Sequence, residues 1–485
     1  MKRWTTVPIA ALAFGCAQGA PLDNGSGGTT AMTMPTMTTT TMTTSTSAPM
    51  TTTGETTDAT TGETTTGSGT TTEALTSTTT EASTGTTGGE PTILGEYYPF
   101  GQVHSPITPD IAAAMTAIAS NGARNDQVFA KVGGSHTASD NFLDCFADAG
   151  LVSGLPETLQ PTVDWFNAQA AGLGATSFNR VSLAAMANWT ADQVLAGMPN
   201  ALTSEGTEID PRFAVILFGT HELDLPQPDT LYNFAGNLLQ IVDFAISVGT
   251  VPILSTIPNR TQPAGLEIHI PRYNGVIRAI AQGRKIPLID LNLALEGLPN
   301  QGLAPDGVDL SVATGMDNAP DPCSFGLVAH GYNRRNLSTV EALARAKAAV
   351  VDGMPSDVTA PVLMGAGTLD EPIEIPGLPF VDMRSTADSP SDVIDSYAGA
   401  CMAGGSTGPE YIYALTVDQS TKIRAMVFSS DEVDVDLHLM TLTDPNTCVK
   451  RGDRELEGPL QPGTYFLSID TLGTPGEFAF VLVAE

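Results

Sequence analysis

The sequence predicts an α/β domain built on a three-layer parallel sheet, followed by a C-terminal all-β sandwich and preceded by a long disordered linker. Three observations carry this reading. Short β-branched apolar runs alternate with amphipathic stretches between residues 93 and 355, the pattern of a parallel sheet wrapped by helices. After Pro355 strand-like runs recur without helical ones, at the spacing of a sandwich. Before Ile93 lies a threonine-rich tract with almost no large apolar side chain. The expected organisation is 1–16 export signal, 17–92 linker, 93–355 α/β domain and 356–485 β-sandwich.

The chain opens with Lys2 and Arg3, an apolar run from Val7 to Phe14, then Gly15 and Cys16. This resembles a bacterial lipoprotein signal, with Cys16 the acylated residue. The apolar run is too short to span a bilayer, so the membrane would be reached only through lipid on Cys16. The expected location is the bacterial outer membrane or cell surface; simple secretion is the alternative. The tract from 17 to 92 cannot bury enough surface to offset the entropy of ordering, which predicts an extended tether.

In the α/β region the strand candidates are Val128 to Val132, Ala214 to Phe218, Val251 to Ile257 and Ile286 to Leu291. Helical stretches run from Thr230 to Val248, Arg272 to Gln282 and Leu337 to Val351. The first strand stops at Gly133 and Gly134 and delivers Ser135 to a turn. A helix is expected to begin near Ser139, with Phe142, Leu143 and Phe146 as its apolar stripe. A side chain at the carboxyl end of a parallel strand faces the crevice where ligands bind, so Ser135 is the candidate nucleophile.

Three later stretches fall in an ordered series with this turn: Ser182 to Ala191, Gly219-Thr220-His221-Glu222-Leu223, and Asp306-Gly307-Val308-Asp309. Together the four blocks resemble the SGNH, or GDSL-like, hydrolases. The resemblance implies a flavodoxin-like three-layer fold and an esterase or deacetylase-like activity. It places the nucleophile at Ser135, oxyanion or binding groups at Gly134, Asn188, Gly219 and His221, and an acid at Asp306. The frame matches, but Gly134 stands where the family has aspartate, His221 where it has asparagine, and Asp309 where it has the histidine base.

The last change matters most. A carboxylate is about two and a half pKa units weaker as a base than imidazole, and general-base help is typically worth about 100- to 10,000-fold. His330, on a loop before the last helix, is the alternative base, whereas His136 directly follows Ser135 and is expected to point elsewhere. A catalytically degenerate member that binds a ligand, possibly a glycan, is the rival to an active esterase.

In the C-terminal region Glu410 to Val417, Lys422 to Phe428, Val433 to Thr441, Gly463 to Asp470 and Phe478 to Val483 read as strands. The segments Gly408 to Tyr413, Asp434 to Leu439 and Leu460 to Phe466 resemble bacterial pre-peptidase C-terminal domains. Alternation puts Asp434 and Asp436 on a wet strand face rather than on a metal. Trp165 and Trp189 read as core or cleft wall.

With Cys16 assigned to lipid, the other four cysteines pair within regions, and an exported chain makes Cys145–Cys323 and Cys401–Cys448 disulfides. No Cys-x-x-Cys or His-x-x-x-His spacing appears, so neither a metal nor a cofactor is expected. The formal charge of −32 argues against nucleic acid as a partner. The expected partner is a small-molecule or glycan ester.

Overall fold

The computed structural model describes residues 91–326, 329–402, 407–430 and 432–485. The signal-like segment with Cys16 and nearly all of the threonine-rich tract lie outside the described residues. No helix among the described residues is long and apolar enough to cross a membrane.

The parallel sheet is built from β2 (Asn125–Gly133), β3 (Pro211–Leu217), β4 (Val251–Ser255) and β5 (Leu288–Ile289), after a short β1 (Ile93–Glu96) that pairs elsewhere. Its order is β2-β3-β4-β5, with Gly133 opposite Leu217 and Phe213 opposite Val251. All four expected strands are present. Every residue of β3 and β4 is buried, so both faces of the sheet are covered.

A further rung lies on the other side of β2. The Gly133 N–H donates to the Ala184 carbonyl (3.1 Å) and the Met186 N–H donates to the Gly133 carbonyl (3.1 Å), a parallel bridge to Ala185. The chain therefore leaves β2 to one side and returns on the other. Ser135 stands at this switch point, where an open α/β sheet splits apart.

The helices are α1 (Pro109–Ser120), α2 (Ser135–Ala138), α3 (Gln160–Asn167), α4 (Ala191–Leu195), α5 (Ala201–Ile209), α6 (Asp229–Ser247), α7 (Ile270–Gly283), α8 (Leu291–Glu296) and α9 (Gly331–Val350). Helices α6 and α7 pack on each other and on β4, while α9 packs against α1, α3, α8 and β5. The helix expected from Ser139 is absent. Ser139 is extended (ψ 136°), which ends the four-residue α2, and Leu143, with a left-handed φ of 69°, leads into a 3₁₀ turn at Asp144–Ala147. Phe142, Leu143 and Phe146 are still buried, pinned by tertiary contacts rather than by a helical stripe.

After β6 (Val362–Met364), β7 (Ile373–Glu374) and β8 (Phe380–Ser385) come β9 (Glu410–Val417), β10 (Thr421–Ser429), β11 (Val435–Met440), β12 (Cys448–Gly452), β13 (Glu455–Leu460), β14 (Gly463–Thr471) and β15 (Glu477–Ala484). They form a four-stranded sheet, β13-β10-β15-β8, and a five-stranded one, β12-β11-β14-β9-β7. The five expected strands are β9, β10, β11, β14 and β15. The others escaped the periodicity reading because they are short or carry charges. One of them, β6, pairs with β1, so residues 93–96 join the strands after 355.

The facing sides of the two sheets enclose an apolar core of Tyr413, Leu437, Ile469, Phe480 and Leu482 among others. On the outer side of the five-stranded sheet the expectation for Asp436 is overturned. It is wholly buried, and Arg451 donates to its carboxylate (2.9 Å from Nε), because the segment carrying Tyr397 covers that face. Both expected disulfides are formed, with Cα–Cα distances of 6.0 Å (Cys145–Cys323) and 5.9 Å (Cys401–Cys448). They close loops with sequence separations of 178 and 47. In the chain-entropy model that is worth about 5 and about 4 kcal/mol.

The outer side of the four-stranded sheet is buried too. Val381, Met426, Phe428, Ala479, Val481 and Val483 belong to the same core as the helices of the parallel sheet. This is why β15 reads as an unbroken apolar run rather than an alternating one. Helix α7 makes the contact through glycines: a Cβ on Gly275 would meet Val481 Cγ1 at 2.4 Å, and one on Gly283 would meet Met383 Cβ at 2.6 Å. Gly236 of α6 is the opposite case, with no atom within 4 Å of an added Cβ. Gly275→Ala is expected to lower unfolding stability by about 1–3 kcal/mol through overpacking. Gly236→Ala should raise it by up to about 1 kcal/mol through helix propensity. Urea titration of both variants checks the pair, and equal effects would show that α7 does not rest on the sheet as described.

Candidate active site

The turn that carries Ser135 is shaped by what surrounds it. A side chain at Gly134 would place its Cβ 2.8 Å from the Trp189 carbonyl oxygen, so the loop after Met186 can lie against the turn only because residue 134 is glycine. That is a local reason for the departure from aspartate. The Gly134 N–H donates to the Leu217 carbonyl at 3.4 Å, which ties the turn to β3.

Half-buried Ser135 is the first residue of α2. Its Oγ accepts a hydrogen bond from the Asn188 backbone N–H at 2.7 Å and donates to Asn188 Oδ1 at 3.4 Å. Asn188 holds a left-handed φ of 64°, a conformation asparagine adopts more readily than most residues. This turns its N–H onto Ser135 from a neighbouring loop. Among the described residues no hydrogen bond joins Ser135 to an imidazole, although all six histidines are described.

The third block is held by a residue the sequence reading did not single out. Glu222 is buried, and its two carboxylate oxygens accept from the Gly219 N–H (2.9 Å) and the Ala191 N–H (2.7 Å). One side chain thus ties the Asn188 loop to the Gly219 loop. The signal was available in the spacing, since Glu222 follows directly on the His221 position. Gly219, with φ 111°, leaves no room for a larger residue against Ile257 and Phe234. The His221 ring turns towards Asp224, with Nδ1 3.3 Å from Oδ2, and Arg260 bridges Asp224 and the Thr220 carbonyl.

Asp306 folds its own loop. Its Oδ1 accepts from the N–H groups of Val308 (2.9 Å) and Asp309 (3.0 Å). Asp309, whose side chain is 60% exposed, comes within 3.7 Å of an imidazole, and that imidazole is His136. The ring of His136 thus reaches the fourth block. Burial, and then Arg335, push its pKa down to about 3, so it is neutral at ordinary pH. Burial and Asp306 push the Asp309 carboxyl upward. His330, at the N-cap of α9, has no side-chain hydrogen bond among the described residues.

Helix α9 fixes these loops from below. Arg335, 2% exposed, lies 3.6 Å over the Phe142 ring and donates to the His136 carbonyl (2.5 Å) and Thr137 Oγ1 (2.9 Å). Asn336 accepts from the Leu143 N–H and donates to the carbonyls of Asn141 and Pro322. No group of three His, Cys, Asp or Glu side chains among the described residues is placed to hold a metal ion.

Burial pushes the Glu222 carboxyl up to about 7, against the opposite pull of the two N–H groups. The folded protein then keeps a proton that the unfolded chain has released, so this group's contribution to stability falls as pH rises from about 4.5 towards 7. Asp470 in the sandwich, also raised to about 7, acts in the same window, so the test is a difference. Between about pH 5 and about pH 7.5 the wild type should lose more unfolding free energy than Glu222→Gln. Parallel pH profiles would contradict the assignment.

Residues 132–313 match the model of the GDSL-like Lipase/Acylhydrolase family, a span that opens one residue before Gly133 and closes beyond Asp309. Similar solved structures include a lipase/acylhydrolase from Enterococcus faecalis, at 20% identity over 44% of this chain and 94% of that one, with a TM-score of 0.30. An acetylxylan esterase from Geobacillus stearothermophilus shows 17% identity over 44% and 92%, with a TM-score of 0.28. The pre-peptidase C-terminal domain of a collagenase from Bacillus anthracis shows 16% identity over 22% and 91%, with a TM-score of 0.17. No curated protein sequence matches. The stretch from Val132 to Ala313, which carries β3 to β5, the end of β2 and all four blocks, matches the GDSL-like lipase/acylhydrolase family.

Proposed function

We propose that the turn at Ser135 carries an esterase site of low turnover, directed at a small acyl or acetyl ester outside the cell. The observation that carries the reading is the 2.7 Å hydrogen bond from the Asn188 N–H to Ser135 Oγ at the switch point of the sheet. Read as an oxyanion donor, that N–H is held beside Ser135 Oγ before any substrate arrives. Preorganised donors of this kind typically contribute about 100- to 1,000-fold each.

Proton removal is the weak half of the reaction. Ser135 Oγ faces an amide oxygen rather than an imidazole. Asp309 is a poor base even with its pKa raised, and His136 turns to Asp309. The missing general base predicts a rate about 100- to 10,000-fold below that of an intact triad. The same observation favours a second reading, in which the site binds its ester without turning it over. Tethering through lipid on Cys16 would hold either form at the bacterial surface, with a secreted form as the alternative. Metabolic labelling with palmitate tests the tether: label lost in Cys16→Ser supports it, and an unlabelled wild type refutes it.

Hydrolysis of p-nitrophenyl acetate tests the chemistry. The wild type should be slow, Ser135→Ala should remove what turnover there is, and Asp309→His should raise it by about 10- to 1,000-fold. Turnover unaffected by Ser135→Ala would overturn the esterase reading. If turnover is absent and Asp309→His does not restore it, the binding reading stands instead.

A further inference from the structure

A cleft of about 1160 Å³ opens between α6 and the four-stranded sheet of the sandwich. One end is formed by Thr190 and Asp192, just past Asn188, and by Glu222 and Leu225, just past His221. From there it follows α6 from Thr230 to Gln240, a length of roughly 15 Å at 1.5 Å per residue. It therefore begins at the back of the two loops that border Ser135 and runs away from them as a groove. Its volume exceeds the roughly 300–1,000 Å³ of pockets for single small molecules, which suits a chain of several units.

The walls have a consistent chemistry. Asn233, Asn237 and Gln240 line the α6 side, and their amides make no hydrogen bond among the described residues. Ser430 and Ser429, whose hydroxyl donates to the Val433 carbonyl, line the sandwich side. Such groups offer donors and acceptors together, which matches hydroxyls. Beneath them lie Phe428 and Ala479, an apolar floor. Gly236 leaves the middle of the groove open at a helix-interior position where glycine costs about 1 kcal/mol relative to alanine. Charge narrows the ligand further. Asp192, Asp434 and Asp453 stand along the groove against Arg454, whose guanidinium lies over the Tyr232 ring, so a polyanion would be repelled.

We propose that this groove holds a neutral oligosaccharide chain. The proposal goes beyond the ester-directed reading of Ser135, which is not among the residues that line the groove.

The test is affinity gel electrophoresis of the full chain in gels containing xylan, glucomannan or mixed-linkage β-glucan. Polygalacturonate and chitosan serve as charged counterparts. At least one neutral polymer should retard the wild type and Ser135→Ala equally. Gly236→Trp, which fills the groove, should abolish the retardation, and Asn237→Ala, which removes one amide, should weaken it by about two- to tenfold, the change that one lost hydrogen bond produces. Melting curves matching the wild type establish that both variants are folded. Failure of every neutral polymer to retard the wild type overturns the proposal, as does retardation by a charged polymer alone or retardation unchanged in both folded variants. Ester turnover abolished by Ser135→Ala without any retardation would sink the groove and leave the ester reading standing. Retardation with turnover indifferent to Ser135→Ala would do the reverse.

Discussion

The site depends on the buried contact between Arg335 and the turn that carries Ser135. A guanidinium taken out of water must find acceptors, and here it finds the His136 carbonyl, Thr137 Oγ1 and the face of Phe142. Burial is severe enough to push even this group's pKa down to about 10. No turn of α2 could move without stranding the charge. The four-residue α2 is too short to be stable by itself, so its geometry is imposed from α9. Asn336 extends the same clamp to the segment around Cys145, and the Cys145–Cys323 bridge closes it covalently.

A second constraint joins the helices of the parallel sheet to the sandwich. Helix α7 is buried on nearly every side, with β4 and α6 on one side and β8 and β15 on the other. Gly275 and Gly283 allow the approach, and Gln282 spans it by accepting from the Tyr98 N–H and donating to the Val381 carbonyl. The sandwich is thus fixed rather than hung on a linker. The cleft along α6 is a consequence, since it lies where this contact leaves the two surfaces apart.

The chemistry of the four blocks has been redistributed rather than erased. The Asp-x-x-His frame survives as a loop, but Asp306 spends its carboxylate on the loop's own N–H groups. The imidazole beside Asp309 comes from position 136 and makes no hydrogen bond to Ser135. What persists is a polar frame: Ser135, the Asn188 N–H, and the Glu222 carboxylate that holds the Asn188 and Gly219 loops together.

The sequence by itself determined the class of structure. Hydrophobic period is a local property, so Val128 to Val132 and the three later runs could be read as strands of a covered parallel sheet, and β9, β10, β11, β14 and β15 as a sandwich. The ordered series of blocks marked Ser135, Asn188 and Asp309, and the distribution of cysteines marked both bridges. Tertiary structure decided the rest, because pairing between distant segments is set by packing and not by period. Nothing near Ser139 shows that the segment is pinned by Asn336 instead of forming a helix, and nothing near Asp436 shows that Tyr397's segment will cover it. Nothing near Glu222 announces that its carboxylate will bridge two loops, and nothing in β15 says which half of its apolar run faces α7. Each of these outcomes depends on a partner tens to hundreds of residues away, whose position is fixed only when the two cores close together.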